Sequence, residues 1–131
     1  MIYLDASALV NLVEENERSR HLRSWLDLNA HLPFATSQIT EVELPRTLHR
    51  LGHPTPVERA ERLMEGLMRV ETDVAIRKLA ARLPDPFLRS LDALHLSCAA
   101  QLGPRLTIVT YDKKMARAAV RSGAVAVSPG A

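Results

Sequence analysis

A chain of 131 residues is of single-domain size, 47% hydrophobic and 24% charged, with a formal net charge of +2. That composition excludes a disordered or collagenous chain, and no run approaches the roughly 18 apolar residues of a membrane span. The single cysteine, Cys98, excludes an internal disulfide and a thiolate metal cage, leaving a small core residue as its ordinary use.

In chain order, "IYL" reads as a short buried strand running into a helix over "DASALVNLVEEN", because the apolar spacing changes at Ala6. A second helix, "ERSRHLRSWLDLNAH", carries Leu22, Trp25, Leu26 and Leu28 toward a core. "LPFAT" is a strand. "SQITEVELPRTLHRLG" is helical in pattern, with Ile39, Val42 and Leu48 as its apolar positions and Gly52 at its close. Thr55 can cap a helix that begins at Pro56, where a missing N–H costs nothing, and runs through "VERAERLMEGLM".

"RVET" is a short strand, and Asp73 caps a helix over "DVAIRKLAARL". Two prolines make "PDPFLRS" a loop. "LDALHLSCAAQLG" reads as an amphipathic helix stopped by Gly103. "RLTIVTYD" is the strongest strand, "KKMARAAVRSG" a helix, and "AVAV" a last strand. Strands interleaved with helices predict an α/β fold with a twisted, mainly parallel sheet between helical layers, in one domain over residues 1–131. Acids at Asp5, Glu14 and Glu15 leave no basic leader with an apolar stretch, so the expected compartment is the cytoplasm.

Ligand sites in open parallel sheets lie outside the carboxyl ends of the strands, and acids are placed there selectively. Asp5 ends the first strand, Asp112 follows "LTIVTY", Asp92 sits in the opening turn of "LDALHL", and Glu41 and Glu43 follow the second strand. Singly, each has an ordinary use. An acid at a helix start gains about 0.3–1 kcal/mol from the dipole, and Glu43 fits a capping box with Thr40. Together they repel one another and need a counter-charge. Oxygen ligands without thiolates or a histidine pair suit Mg²⁺ or Mn²⁺ and argue against zinc. Glu41 and Glu43 point about 200° apart on a helix, so only one can face such a site, and periodicity does not choose between them.

Four stretches in order, "YLDASALV", "TSQITEVELPRTL", "LDALHLSCA" and "IVTYDKKMARAA", resemble a PIN domain of the VapC-like toxins of bacterial toxin–antitoxin pairs. The resemblance covers nearly the whole chain. It implies a three-layer α/β/α sandwich and a Mg²⁺- or Mn²⁺-dependent endoribonuclease cutting transfer or ribosomal RNA. Matched to the family, Asp5, Glu43, Asp92 and Asp112 are the catalytic and metal-holding acids. Ser7 and Thr110 are the hydroxyls beside them, and His95 falls where the family often has histidine. The implied products carry a 5′-phosphate and a 3′-hydroxyl, since water and not the ribose 2′-OH is the nucleophile. Pro45 departs from the pattern: two residues after Glu43, it removes a backbone donor and affects the aim of that acid.

Arg46, Arg50, Arg89, Lys113 and Lys114 lie near the acid-bearing segments and are candidate phosphate contacts. Fourteen of the seventeen Lys+Arg residues are arginine, which suits phosphate forks. The resemblance further implies a small VapB-like antitoxin and a toxin homodimer, with the apolar helix pair from Leu9 to Leu28 as a candidate antitoxin groove. The rival reading is a non-catalytic α/β scaffold or signalling module. A phosphoacceptor domain calls for an adjacent acid pair after the first strand, and here Asp5 stands alone.

Overall fold

The computed structural model describes all of residues 1–131. Five short strands form one sheet: β1 (Ile2–Leu4), β2 (Phe34–Ser37), β3 (Met68–Val70), β4 (Thr107–Val109) and β5 (Val125–Val127). All are parallel, in the order β3-β2-β1-β4-β5. Seven helices connect them: α1 (Ala6–Asn11), α2 (Glu17–Leu28), α3 (Thr40–Arg50), α4 (Pro56–Met64), α5 (Val74–Ala81), α6 (Ser90–Ala100) and α7 (Lys113–Arg121). The expected three-layer architecture holds. The chain winds outward from β1 to β3, then returns to add β4 on the other side of β1. This order creates a switch point between β1 and β4, where their connections leave for opposite faces.

Two cores lie on the two faces of the sheet. One packs Ile2, Leu4 and Val109 against Leu9, Leu22, Leu44, Leu48 and Met64 of α1 to α4. The other packs Tyr3, Ala35 and Ile108 against Ile76, Leu96, Cys98, Met115 and Ala118 of α5 to α7. Alternation along β1 sends Tyr3 to one core and its neighbours to the other. No helix is long and apolar enough to cross a membrane.

Several local expectations are corrected. The helix after β1 stops at Asn11, and Asn16 opens α2 with a reciprocal capping box, its side chain accepting from the Ser19 N–H at 2.9 Å. Leu28 is 77% exposed at the last residue of α2, while Leu22 is buried and Trp25 and Leu26 pack partly against the core as expected. In α3 the buried stripe is Thr40, Leu44 and Leu48, while Val42 is 64% exposed. The helix α4 ends at Met64, since Gly66 turns the chain at φ +77° into β3. Thr55 holds the N-cap position of α4, but its side chain makes no capping bond. The helix α6 is not amphipathic: Ala93 and the run from His95 to Ala99 are buried, because α6 packs against β2 and between α5 and α7.

Candidate active site

The register of the sheet brings the first acid to its partners. Leu4 pairs with Val109, so the chain leaves β1 at Asp5 directly beside the exit of β4 at Thr110. The Asp5 N–H donates to the Val109 carbonyl at 3.4 Å. The buried Asp5 carboxylate is then clamped from both sides. Ser7 Oγ and the Ala8 N–H donate to Oδ1 at 2.6 and 3.0 Å, and Thr110 Oγ1 donates to Oδ2 at 2.5 Å. The Ala8 bond makes Asp5 the N-cap of α1. The helix-start use and the site placement therefore coincide.

The same hydroxyls tie the two strand exits together. Ser7 Oγ accepts from the Tyr111 N–H at 2.9 Å, and Thr110 Oγ1 accepts from the Asp112 N–H at 3.1 Å. Asp112 caps α7, its Oδ1 accepting from the Lys114 and Met115 N–H groups at 2.9 and 3.2 Å, which leaves Oδ2 unspent. Behind this edge the C-terminal segment is fastened by Ser128 Oγ, which donates to the Thr110 carbonyl at 2.5 Å.

Glu43 and Glu41 part company as the helical geometry demands. Glu43 points inward, with Oε1 2.5 Å from His95 Nε2. Glu41 pairs with Arg69 of β3 at 3.3 Å on the outer side. His95 is itself buried, and its Nδ1 lies 2.6 Å from Tyr3 Oη. The Glu43 carboxylate only accepts, so Nε2 carries the proton that faces it, and in the neutral imidazole Nδ1 then accepts from the Tyr3 O–H. Burial holds the Tyr3 phenol well above its ordinary value, so it remains a donor. This Tyr3–His95–Glu43 chain was beyond the reach of residue spacing, which offered His95 only as a family position.

Asp92, in the first turn of α6, makes no side-chain hydrogen bond or ion pair. Burial raises its pKa, and the charges of Asp112, Asp5 and Glu43 push the same way against the opposing pull of His95. These four carboxylates therefore share one field. Burial also raises the pKa of Asp5, against the bonds from Ser7 and Thr110 and the pull of His95. No lysine or arginine pairs with any of the four; Glu43 alone has an ion-pair partner, His95.

The donor chemistry fits a hard dication: oxygen ligands, uncompensated negative charge and free lone pairs on Asp92 and Asp112. No group of three acids or imidazoles converges tightly enough to grip one ion directly. Mg²⁺ usually keeps several waters and takes one or two carboxylates, so a cage of three direct ligands is not a requirement for it.

Pro45 sits in the second turn of α3, and the helix continues through it to Arg50. The Glu43 N–H still donates to the Ile39 carbonyl at 3.0 Å, so this acid keeps a helical aim. Arg46, Arg50, Arg89, Lys113 and Lys114 are all exposed and free of ion pairs. Of the apolar helix pair from Leu9 to Leu28, the candidate antitoxin groove, Leu9 and Leu22 are buried in the core, Trp25 and Leu26 are partly buried and Leu28 is exposed.

Comparison with known proteins places this geometry. The PIN domain family model matches residues 2–121. The chain is 41% identical to ribonuclease VapC35 of Mycobacterium tuberculosis, covering 99% of this chain and 98% of that protein. It is 40% identical to ribonuclease VapC47 of the same species, covering 100% and 98%. Among solved structures, VapC20 of M. tuberculosis, described as a sarcin-ricin loop cleaving toxin, superposes with a TM-score of 0.74 at 19% identity, covering 98% of this chain and 100% of that one. VapBC2 from Rickettsia felis, bound to a DNA fragment from its promoter, gives 0.73 at 18% identity, covering 97% and 98%.

Proposed function

This chain belongs to the PIN-domain family, with relatives named as VapC ribonucleases, and from that premise we propose that it is a divalent-metal-dependent endoribonuclease, the toxin of a toxin–antitoxin pair. The observation that carries the reading is Asp92: a carboxylate with no hydrogen-bond or ion-pair partner, half-buried in the first turn of α6 and feeling the charges of Asp112, Asp5 and Glu43. Leaving such charges unpaired costs stability unless a bound cation repays it.

Asp92, Asp112, Asp5 and Glu43 would hold Mg²⁺ or Mn²⁺. When bound, such an ion polarises a phosphoryl oxygen and lowers the pKa of a coordinated water. The protein's own contribution is orientation. Asp5 is fixed by three donors, so its remaining lone pairs have one direction. His95 turns Glu43 toward the site, and the N-cap of α7 fixes Asp112. Ser7 and Thr110 hold the two strand exits at constant separation. Electrostatic preorganisation of this kind is a main source of rate enhancement in many enzymes.

RNA supplies the phosphodiester, and a VapB-like antitoxin is the expected partner in the cell. A second copy of the chain is the expected oligomeric partner. The test is cleavage of total RNA by the purified chain with Mg²⁺ or Mn²⁺, with the ends mapped. The reading predicts 5′-phosphate and 3′-hydroxyl ends, loss of cutting in chelator, and loss in Asp92→Asn. A 2′,3′-cyclic phosphate would refute this chemistry, and an absence of cutting on any RNA would favour the scaffold.

A further inference from the structure

Phe87 is one of only two phenylalanines and stands 81% exposed in the loop between α5 and α6. A phenylalanine left in water forgoes roughly 1.5–3 kcal/mol of burial. The loop is nonetheless built, not slack. Asp85 Oδ1 accepts from the Phe87 N–H at 3.0 Å, and Asp85 Oδ2 accepts from Arg121 of α7 at 2.7 Å. One carboxylate thus fastens the aromatic residue to the neighbouring helix.

The ring borders a surface hollow of about 250 Å³ that it shares with Leu88, Lys114, Arg117, Arg121 and Asp85, whose carboxylate is engaged by Arg121. Lys114, Arg117 and Arg121 recur at helical spacing along one face of α7, over about 10 Å at 1.5 Å per residue. Lys114 and Arg117 are exposed and have no carboxylate partner, so their charge is available. The hollow lies between the loop that leads into Asp92 and the helix that Asp112 caps. An aromatic face flanked by free cations, beside a site that cuts phosphodiesters, matches the chemistry of a single-stranded nucleotide.

We propose that Phe87, with Lys114 and Arg117, forms a nucleotide subsite in which a base of the RNA flanking the cut stacks on the Phe87 ring while its phosphates meet the two cations. The proposal rests on the nuclease reading and adds to it where the substrate strand runs: off the Asp112 edge along α7. Arg121 acts through Asp85, as a positioning residue for the loop. Stacking requires a π face, and phosphate contact requires only charge, so the two contributions separate experimentally.

The test is anisotropy of a fluorescein-labelled single-stranded RNA titrated with the full chain in chelator, where binding is read without cutting. Phe87→Ala and Phe87→Leu are expected to weaken binding about five- to hundredfold, and Phe87→Trp to preserve it. Lys114→Ala and Arg117→Ala are each expected to reduce the slope of log affinity against log salt by about 0.7. Thermal melting controls for folding, which an 81% exposed side chain should hardly affect.

Wild-type affinity in Phe87→Ala, alongside intact RNA cutting by the parent, overturns the subsite and leaves the nuclease reading standing. Wild-type affinity in Phe87→Leu overturns stacking in favour of bulk apolar contact. Unchanged RNA binding with lost association to a co-expressed antitoxin assigns the hollow to a protein and also overturns it. Ring-dependent RNA binding by a chain that cuts no RNA sinks the nuclease reading and keeps the subsite.

Discussion

His95 Nε2 lies 2.5 Å from Glu43 Oε1, joining the middle of α6 to the first turn of α3 across 52 residues of sequence. The other ring nitrogen is held by Tyr3 of the central strand at 2.6 Å. Glu43 is therefore aimed by the core of the protein, not by its own helix alone.

Removing the imidazole should cost both stability and aim. His95→Ala removes the buried imidazole that bonds both Tyr3 Oη and Glu43 Oε1, a loss of about 1–3 kcal/mol read by urea unfolding. Tyr3→Phe removes only the far anchor and frees the tautomer, so it should lower RNA cutting less than His95→Ala does. Equal activity in His95→Ala and the parent would dismiss the Glu43 contact as incidental.

The clamp on Asp5 gives a second expectation. Thr110→Val keeps the shape of the side chain but removes the donor to Oδ2 and the acceptor of the Asp112 N–H. It should destabilise the chain by about 1–3 kcal/mol and reduce cutting. Asp5→Asn should reduce cutting by about 10²-fold or more, on the scale of losing one preorganised electrostatic group. Rates of RNA cleavage under matched metal concentrations check both.

The pH dependence of the metal-free protein follows from Asp92. Its pKa is raised in the fold, chiefly by burial and then by Asp112. The folded state thus binds this proton more readily than the unfolded state, and stability falls as pH rises from the ordinary carboxylate value of 3.8 through the folded value. Asp92→Asn removes that penalty. In chelator the variant should melt above the parent at pH 7, and the gap should close as the pH is lowered toward 3.8. A parent that melts higher at pH 7 would contradict the repulsion.

Cys98 should be inert in the native state. It is buried in the core against Ile108 and Met115, and burial pushes its thiol up to about 11. Iodoacetamide at pH 8 should leave it unmodified until denaturant is added, as mass spectrometry would show.

What was legible in the sequence was whatever local pattern controls. The alternation of strand and helix sets the parallel sheet, and an acid placed just after a strand is at once a helix cap and a site residue, as at Asp5 and Asp112. The choice between Glu41 and Glu43 was not legible from spacing, because it depends on which partner the fold supplies: Arg69 for one, His95 for the other. Val42 misled the apolar reading of α3, since the buried stripe starts from Thr40, bonded to Thr36 at 2.8 Å. The helix α6 read as amphipathic because its serine and histidine look polar, yet His95 is satisfied inside the protein and Ser97 is buried with it. Phe87 follows two prolines in a stretch that reads only as a loop, and its exposure beside α7 is visible only in the fold.

The central claim is that Asp5, Glu43, Asp92 and Asp112 act as one site for a hard dication, and titration of Mn²⁺ into the metal-free chain by calorimetry tests it most directly. The account predicts saturable binding that raises the melting temperature of the parent and is weakened severalfold or more by Asp92→Asn. Absence of binding, or binding indifferent to that substitution, would contradict it.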